Sequence, residues 1–224
     1  MTSPNIIENN QTADQLELHY LIKEPQKKAV KNKAIILLHG VGSNEQDLFN
    51  LAEQLPDDYF IISPRGQFTL GPGRYAWYNV DFSTGKPVFN AQQELSSLKI
   101  ILDFINQVKL KYQLDEVYVG GFSQGAIMSY TIGLLNPKDI KGVIALGGRM
   151  LEEIKPIVTR NEDLKKLRVF ISHGTQDNTL PVGYARAAKN YLEGLPVQLS
   201  YHEYEIGHQI SPAVLADLNK WLAI

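Results

Sequence analysis

The sequence predicts an α/β fold in which one mostly parallel central sheet carries helices on both faces. Three observations predict it. Short, continuous apolar runs recur, among them Ala34-Ile35-Ile36-Leu37-Leu38 and Gly142-Val143-Ile144-Ala145-Leu146, and strands covered on both faces have this composition. Helix-period stretches separate the runs, and strands alternating with helices indicate parallel pairing through crossovers. The runs end in glycine-rich or polar turns, and no internal linker, repeat or low-complexity tract interrupts them.

Taken in order, residues 1–15 are polar and read as a flexible leader. Residues 16–22 alternate apolar and polar for most of their length, as a half-buried antiparallel strand does, which makes His19 an exposed strand residue. A basic, polar turn over 25–33 leads to the first buried strand, 34–38. Leu48, Leu51, Ala52 and Leu55 then mark one side of a helix that Ser43 or Asn44 is placed to cap, closed by Pro56. Residues 59–63 form a second buried strand, stopped by Pro64-Arg65-Gly66. Residues 67–90 are irregular but hold Phe68, Tyr75, Trp77, Tyr78, Phe82 and Phe89, with Gly71, Pro72, Gly73, Gly85 and Pro87. So aromatic a stretch is an ordered loop, either functional or a flap that seals the core. Leu95, Leu98, Ile101, Leu102, Ile105 and Val108 form a helical stripe within 92–112. Another strand opens at Val117, followed by a helix over 126–135 that Asn136-Pro137 ends. Buried strands at 142–146 and 167–172, a helix over 182–192 with Pro181 in its first turn, a strand at 197–204 and a terminal helix over 213–222 complete the chain.

Composition narrows the partners. With 224 residues, 44% hydrophobic and 21% charged, the chain suits one well-buried core. A net charge of −2 and the lack of a dense basic run argue against nucleic acid. No apolar stretch reaches membrane-spanning length, and the N-terminus does not read as a secretory signal. Zero cysteines exclude disulfides, thiolate metal sites and a cysteine nucleophile. A cytoplasmic setting is the default expectation.

The chemistry centres on Gly121-Phe122-Ser123-Gln124-Gly125, at a strand-to-helix junction. A serine with glycine at both second neighbours is what a nucleophile elbow requires. The turn is sharp, the serine backbone strained, and side chains at 121 and 125 would collide with the neighbouring strand and helix. A serine also needs a base, usually a histidine oriented by a carboxylate. In an open parallel sheet, ligands sit at the carboxyl ends of the strands. Residues 39–42, Ser123, Asp177 and His208 fall there. His39 and His173 precede glycines in turns and His202 sits inside a strand, whereas His208 follows the last strand and is the candidate base. Asp163 precedes its strand and so lies at the opposite end of the sheet, and Asp217 is on the terminal helix. Asp177 follows its strand, either as the orienting carboxylate or as a cap for the helix beyond Pro181. The chain order Ser, Asp, His is that of the α/β-hydrolase arrangement. For the oxyanion, the backbone N–H groups of Gln124 and Val41 are the candidate donors. Gly40-Val41-Gly42 is also half of a dinucleotide fingerprint, but Glu45 stands where the third glycine belongs, and its carboxylate would oppose a pyrophosphate.

Five segments together resemble the phospholipase/carboxylesterase family of α/β-hydrolases, which includes the acyl-protein thioesterases. They are Leu38-His39-Gly40-Val41-Gly42, Pro64-Arg65-Gly66, the elbow, His173-Gly174-x-x-Asp177-x-x-Leu180-Pro181, and Gly207-His208. Ser43-Asn44-Glu45-Gln46-Asp47 follows the first segment where the thioesterases tend to carry an aspartate, which looks more like the bacterial carboxylesterase branch. The resemblance implies a single α/β-hydrolase domain over 16–224 without a large lid, a serine esterase with Ser123, Asp177 and His208 as its triad. It implies no metal and no cofactor, a small ester or thioester substrate, and the homodimer that the family often forms. Trp77, Tyr78, Arg149 and Met150 are the candidate acyl pocket. Two other readings stay open: a non-catalytic binding protein on this fold, and a lactonase, peptidase or deacylase using the same three groups. A histidine base acts as the neutral ring, so activity is expected to rise through about pH 6 to 7.

Overall fold

The computed structural model describes residues 18–27, 29–81 and 88–224. The expected leader, residues 1–15, lies outside them, as do Leu16 and Glu17 of the first expected strand, Lys28, and Phe82, Gly85 and Pro87 of the aromatic stretch. The chain enters with β1 (Tyr20–Lys23) and β2 (Lys33–Leu38). Next come a short helix α1 (Glu45–Phe49), a single 3-10 turn (Ala52–Gln54) and β3 (Tyr59–Pro64). The expected helix over this span is thus broken after Phe49. Asn44 is its cap, its side chain accepting the N–H of Gln46 at 2.9 Å, while the Ser43 hydroxyl donates to Asp47 at 2.7 Å.

The aromatic stretch is more regular than its sequence. It forms two antiparallel ribbons, β4 (Phe68–Gly71) with β5 (Arg74–Ala76) and β6 (Val80–Asp81) with β7 (Val88–Phe89). After α2 (Ala91–Lys111) the chain continues through β8 (Glu116–Phe122), α3 (Gln124–Leu135) and β9 (Gly142–Leu146). β10 (Arg168–Gly174), α4 (Gly183–Glu193), β11 (Gln198–Tyr204) and α5 (Pro212–Leu222) close it.

Among the described residues the main sheet has seven strands in the order β1-β3-β2-β8-β9-β10-β11. All pairings are parallel except that of β1 with β3. Strand residues alternate between two apolar layers. Ala34, Ile36 and Leu38 of β2 join α2, α3 and α4 on one face, whereas Ile35 and Leu37 join α1 and α5 on the other. From β2 the chain first turns outward to β3 and later returns to β8 on the other side, so the order reverses between β2 and β8. Ligands bind at the carboxyl ends of the strands beside such a reversal, and there residues 39–42 and Ser123 meet. No helix of the described residues is long and apolar enough to cross a membrane.

The stripe expected on α2 faces the core at five of its six positions: Ile101, Ile105 and Val108 are buried, and Leu98 and Leu102 pack partly buried against the same core. Leu95 is 61% exposed, and Glu94, Ser97 and Phe104 face inward with Ile101, Ile105 and Val108. The inward Ser97 is satisfied: its hydroxyl donates to the Trp77 carbonyl and accepts from the Gln67 amide at 2.7 Å.

Candidate active site

Ser123 leaves β8 with φ 55° and ψ −114°, a left-handed conformation that a non-glycine residue rarely adopts. Its N–H donates to the Leu146 carbonyl at 3.0 Å, which ties the turn to β9. The flanking glycines are required by space. A Cβ on Gly125 would stand 1.8 Å from the Leu38 carbonyl oxygen, and one on Gly121 would stand 2.5 Å from backbone atoms of both Gly125 and Leu38. Helix α3 therefore packs backbone to backbone on β2, with its free N-terminal N–H groups at the serine.

The structure brings Ser123, His208 and Asp177 into one chain of hydrogen bonds. His208 Nε2 lies 3.0 Å from Ser123 Oγ, and His208 Nδ1 lies 2.7 Å from Asp177 Oδ2. Asp177 also serves its local turn, because Oδ1 accepts the N–H groups of Thr179 and Leu180 at 2.8 Å each. Burial alone would raise the Asp177 carboxyl. The hydrogen bonds from His208 and Leu180, the nearby imidazole and the Thr179 N–H outweigh it and hold the group below the usual carboxylate range. His173 stands behind it, fully buried, with Nε2 at 2.6 Å from the Leu180 carbonyl and 3.3 Å from Asp177 Oδ2. Of the competing groups, His202 bonds Ser200 along the last strand and stacks on Phe170 of β10, and Asp163 and Asp217 pair with Lys166 and Lys220.

The loop after β2 is braced from three sides. The His39 ring is buried, donates from Nδ1 to the Gly40 carbonyl at 2.8 Å and accepts the Gly66 N–H at Nε2 at 2.9 Å. Burial holds this ring below the ordinary histidine range, against the Gly40 bond that opposes the shift, so it is neutral with a fixed tautomer. The Gly40 carbonyl is thereby turned into the loop. Val41 N–H lies on the opposite edge of the same planar peptide and has no hydrogen-bond partner among the described residues. The Val41 side chain is exposed. The β4–β5 hairpin lies along the loop, through Gly42 N–H to the Tyr75 carbonyl at 2.8 Å and Tyr75 N–H to the Ser43 carbonyl at 2.7 Å. Trp77 Nε1 donates to the His39 carbonyl at 2.9 Å. The buried Gln124 side chain accepts the Trp77 N–H at 2.9 Å and donates to the Tyr78 carbonyl at 2.7 Å, so the residue after the serine also locks the ribbons in place.

Of the four expected pocket residues, Trp77, Tyr78 and Met150 are 1%, 2% and 5% exposed, and Arg149 is partly exposed. An open cleft of about 320 Å³ adjoins the triad elsewhere, between α1 and the loop after β11, lined by Leu48, Leu51, Phe122, His208 and Ile210 with Asp47 and Gln209. Sequence reading missed this cleft. Leu48 and Leu51 share the apolar side of one expected helix, and only the break after Phe49 leaves Leu51 half-buried at the surface.

The sheet order, the strained elbow and the flanking helices define an α/β-hydrolase fold. The chain belongs to the phospholipase/carboxylesterase family, whose sequence model matches residues 19–224, and it is thus a hydrolase of esters or thioesters. An acyl-protein thioesterase 1 of Emericella nidulans is 27% identical over 213 residues, which span 84% of this chain and 88% of that protein. The carboxylesterase SOBER1 of Arabidopsis thaliana is 27% identical over 202 residues, again 84% and 88% of the two chains. Among solved structures, a Mesorhizobium loti carboxylesterase superposes with a TM-score of 0.81 at 21% identity, covering 98% of this chain and 99% of its own. The Bacillus cereus carboxylesterase gives 0.77 at 21%, covering 92% and 93%.

Proposed function

We propose that the chain is a carboxylic ester hydrolase that works through an acyl-serine intermediate, with thioesters as alternative substrates. Ser123 Oγ attacks the carbonyl carbon while His208 Nε2 takes the hydroxyl proton. Asp177 holds the ring with Nδ1–H directed at its carboxylate and supports the imidazolium that forms. The oxyanion is received by Val41 N–H and Gln124 N–H, two donors already oriented before substrate arrives. Collapse of the tetrahedral intermediate breaks the bond to the leaving alcohol or thiol, which departs with the proton from His208. A water then gives its proton to His208, attacks the acyl-serine and releases the acid, and the proton returns to Ser123. The observation that carries this reading is the continuous Asp177–His208–Ser123 hydrogen-bond chain at 2.7 and 3.0 Å.

The test is covalent. Purified protein is treated with a fluorophosphonate probe and weighed intact beside Ser123→Ala, and both are assayed on a 4-nitrophenyl ester. One adduct per wild-type chain, none on the variant, and loss of nearly all turnover in the variant are expected. Folded wild type that neither labels nor hydrolyses would refute the reading and favour a binding protein. Substantial hydrolysis by Ser123→Ala would locate the nucleophile elsewhere.

A further inference from the structure

The two faces of the sheet give Ser123 different surroundings. On the α1 and α5 face lies the cleft of about 320 Å³, whose walls are Leu48, Leu51, Phe122, Ile210 and the base itself, His208, with Asp47 and Gln209. The leaving group receives its proton from His208 and so must sit beside that ring. This cleft therefore offers the leaving alcohol or thiol apolar contacts from Leu48, Leu51, Phe122 and Ile210.

On the α2, α3 and α4 side, the turn after β9 leads into Arg149, whose ring partner Phe89 packs on that layer. The two glycines just before it lie close to the His208 ring and to the Ser123 backbone. A Cβ on Gly147 would lie 3.7 Å from His208 Cε1, and one on Gly148 would lie 3.2 Å from the Ser123 carbonyl oxygen. The guanidinium carbon is 5.8 Å from the centre of the Phe89 ring and 5.9 Å from that of Tyr184. Two rings from distant parts of the chain thus hold one cation, at cation–π range. Arg149 is partly buried, and no carboxylate pairs with it among the described residues. By contrast, Arg65 pairs with Glu45, Arg186 with Glu203, and Arg168 donates to the Trp221 carbonyl at the end of α5. A partly desolvated cation without a counter-charge is unfavourable on its own. Held by two rings one residue after the Gly147-Gly148 turn that packs on Ser123 and His208, it is pre-ordered for an incoming anion, and a planar guanidinium fits a carboxylate through two parallel hydrogen bonds.

We propose that Arg149 binds a carboxylate on the acyl half of the substrate. The preferred substrates are then half-esters or half-thioesters of dicarboxylic acids, with an apolar alcohol or thiol as the leaving half. This inference rests on the ester-hydrolase reading above and adds the substrate class. It is tested by comparing 4-nitrophenyl hydrogen glutarate with 4-nitrophenyl pentanoate, acyl groups of equal chain length ending in a carboxylate or a methyl. Both are assayed with wild type, Arg149→Gln, Arg149→Lys and Arg74→Gln. The glutarate-to-pentanoate ratio of kcat/KM is expected to exceed one in wild type and to fall as salt screens the pair. It is expected to drop about tenfold or more in Arg149→Gln, the scale of a hydrogen-bonded charge, and to recover partly in Arg149→Lys. A ratio that Arg149→Gln leaves unchanged overturns the proposal. So does a ratio that collapses in Arg74→Gln instead, since that exposed guanidinium stands over the oxyanion loop, 3.3 Å from where a Cβ on Gly42 would sit. Hydrolysis of the pentanoate with a ratio indifferent to Arg149 sinks this inference alone. Hydrolysis of neither ester by unlabelled, folded wild type sinks the ester-hydrolase reading with it.

Discussion

At Ser123 the backbone stores strain that the rest of the elbow must hold. A non-glycine residue at φ 55° and ψ −114° costs on the order of 1–3 kcal/mol, and the Leu146 bond and the close packing of α3 on β2 keep it there. Two variants separate strain from chemistry. Ser123→Ala and Ser123→Gly both lack the nucleophile, but only glycine adopts this backbone freely. Ser123→Gly is therefore expected to be more stable than Ser123→Ala by about 1 kcal/mol, even after the entropy that glycine adds to the unfolded chain. Urea denaturation of the two folded variants measures the difference, and a Gly variant no more stable than the Ala variant would mean the turn is not strained. This local geometry was legible because five consecutive residues encode it. His173 was legible only as a turn residue: its place behind Asp177 depends on how the chain returns from Leu180, which spacing does not reveal.

Between elements, the pairing that matters most for the site is the one the sequence concealed. Residues 67–90 displayed their aromatics, which predicted order, yet their strands are two to four residues long and carry no period that can be read. The partner of β5 outside its own hairpin is Ser43, bridged to Tyr75 across the oxyanion loop. Trp77 completes the brace through His39, with its indole sealed from solvent. Removing the indole N–H in Trp77→Phe leaves the His39 carbonyl buried without that donor and loosens the peptide chain that leads to Val41. Loss of a whole oxyanion donor costs about 10²–10³ in kcat. Loosening one is expected to lower kcat about tenfold, with KM for a neutral ester changed by less than about twofold. A variant with raised KM and unaltered kcat would instead put Trp77 on the substrate, as a pocket wall.

Across the whole molecule, the sheet was readable because parallel strands covered on both faces are almost purely apolar. Their turns gave the chain order of Ser123, Asp177 and His208 directly. Helix α2 was readable as a helix and in most of its apolar stripe, but not in the two polar residues, Glu94 and Ser97, that share its inner face. Ser97 is satisfied by the Trp77 carbonyl and the Gln67 amide. Glu94 is 6% exposed, and its Oε1 has no hydrogen-bond partner among the described residues. Burial raises its carboxyl above the ordinary glutamate range, and the charge of Glu153 raises it further. The folded state thus binds this proton more tightly than the unfolded state. Below the ordinary value of about 4.3 both states are protonated and the full stability is present. As pH rises from there through the folded-state value, the unfolded chain ionises first and stability declines. Glu94→Gln keeps the side chain neutral at every pH, so its melting temperature relative to wild type should be higher at pH 8 than at pH 4. Thermal unfolding at the two pH values reads this difference. An offset between the two proteins that is the same at both pH values would show that the Glu94 carboxyl titrates alike in the folded and unfolded chain, and that the inner face of α2 tolerates its charge.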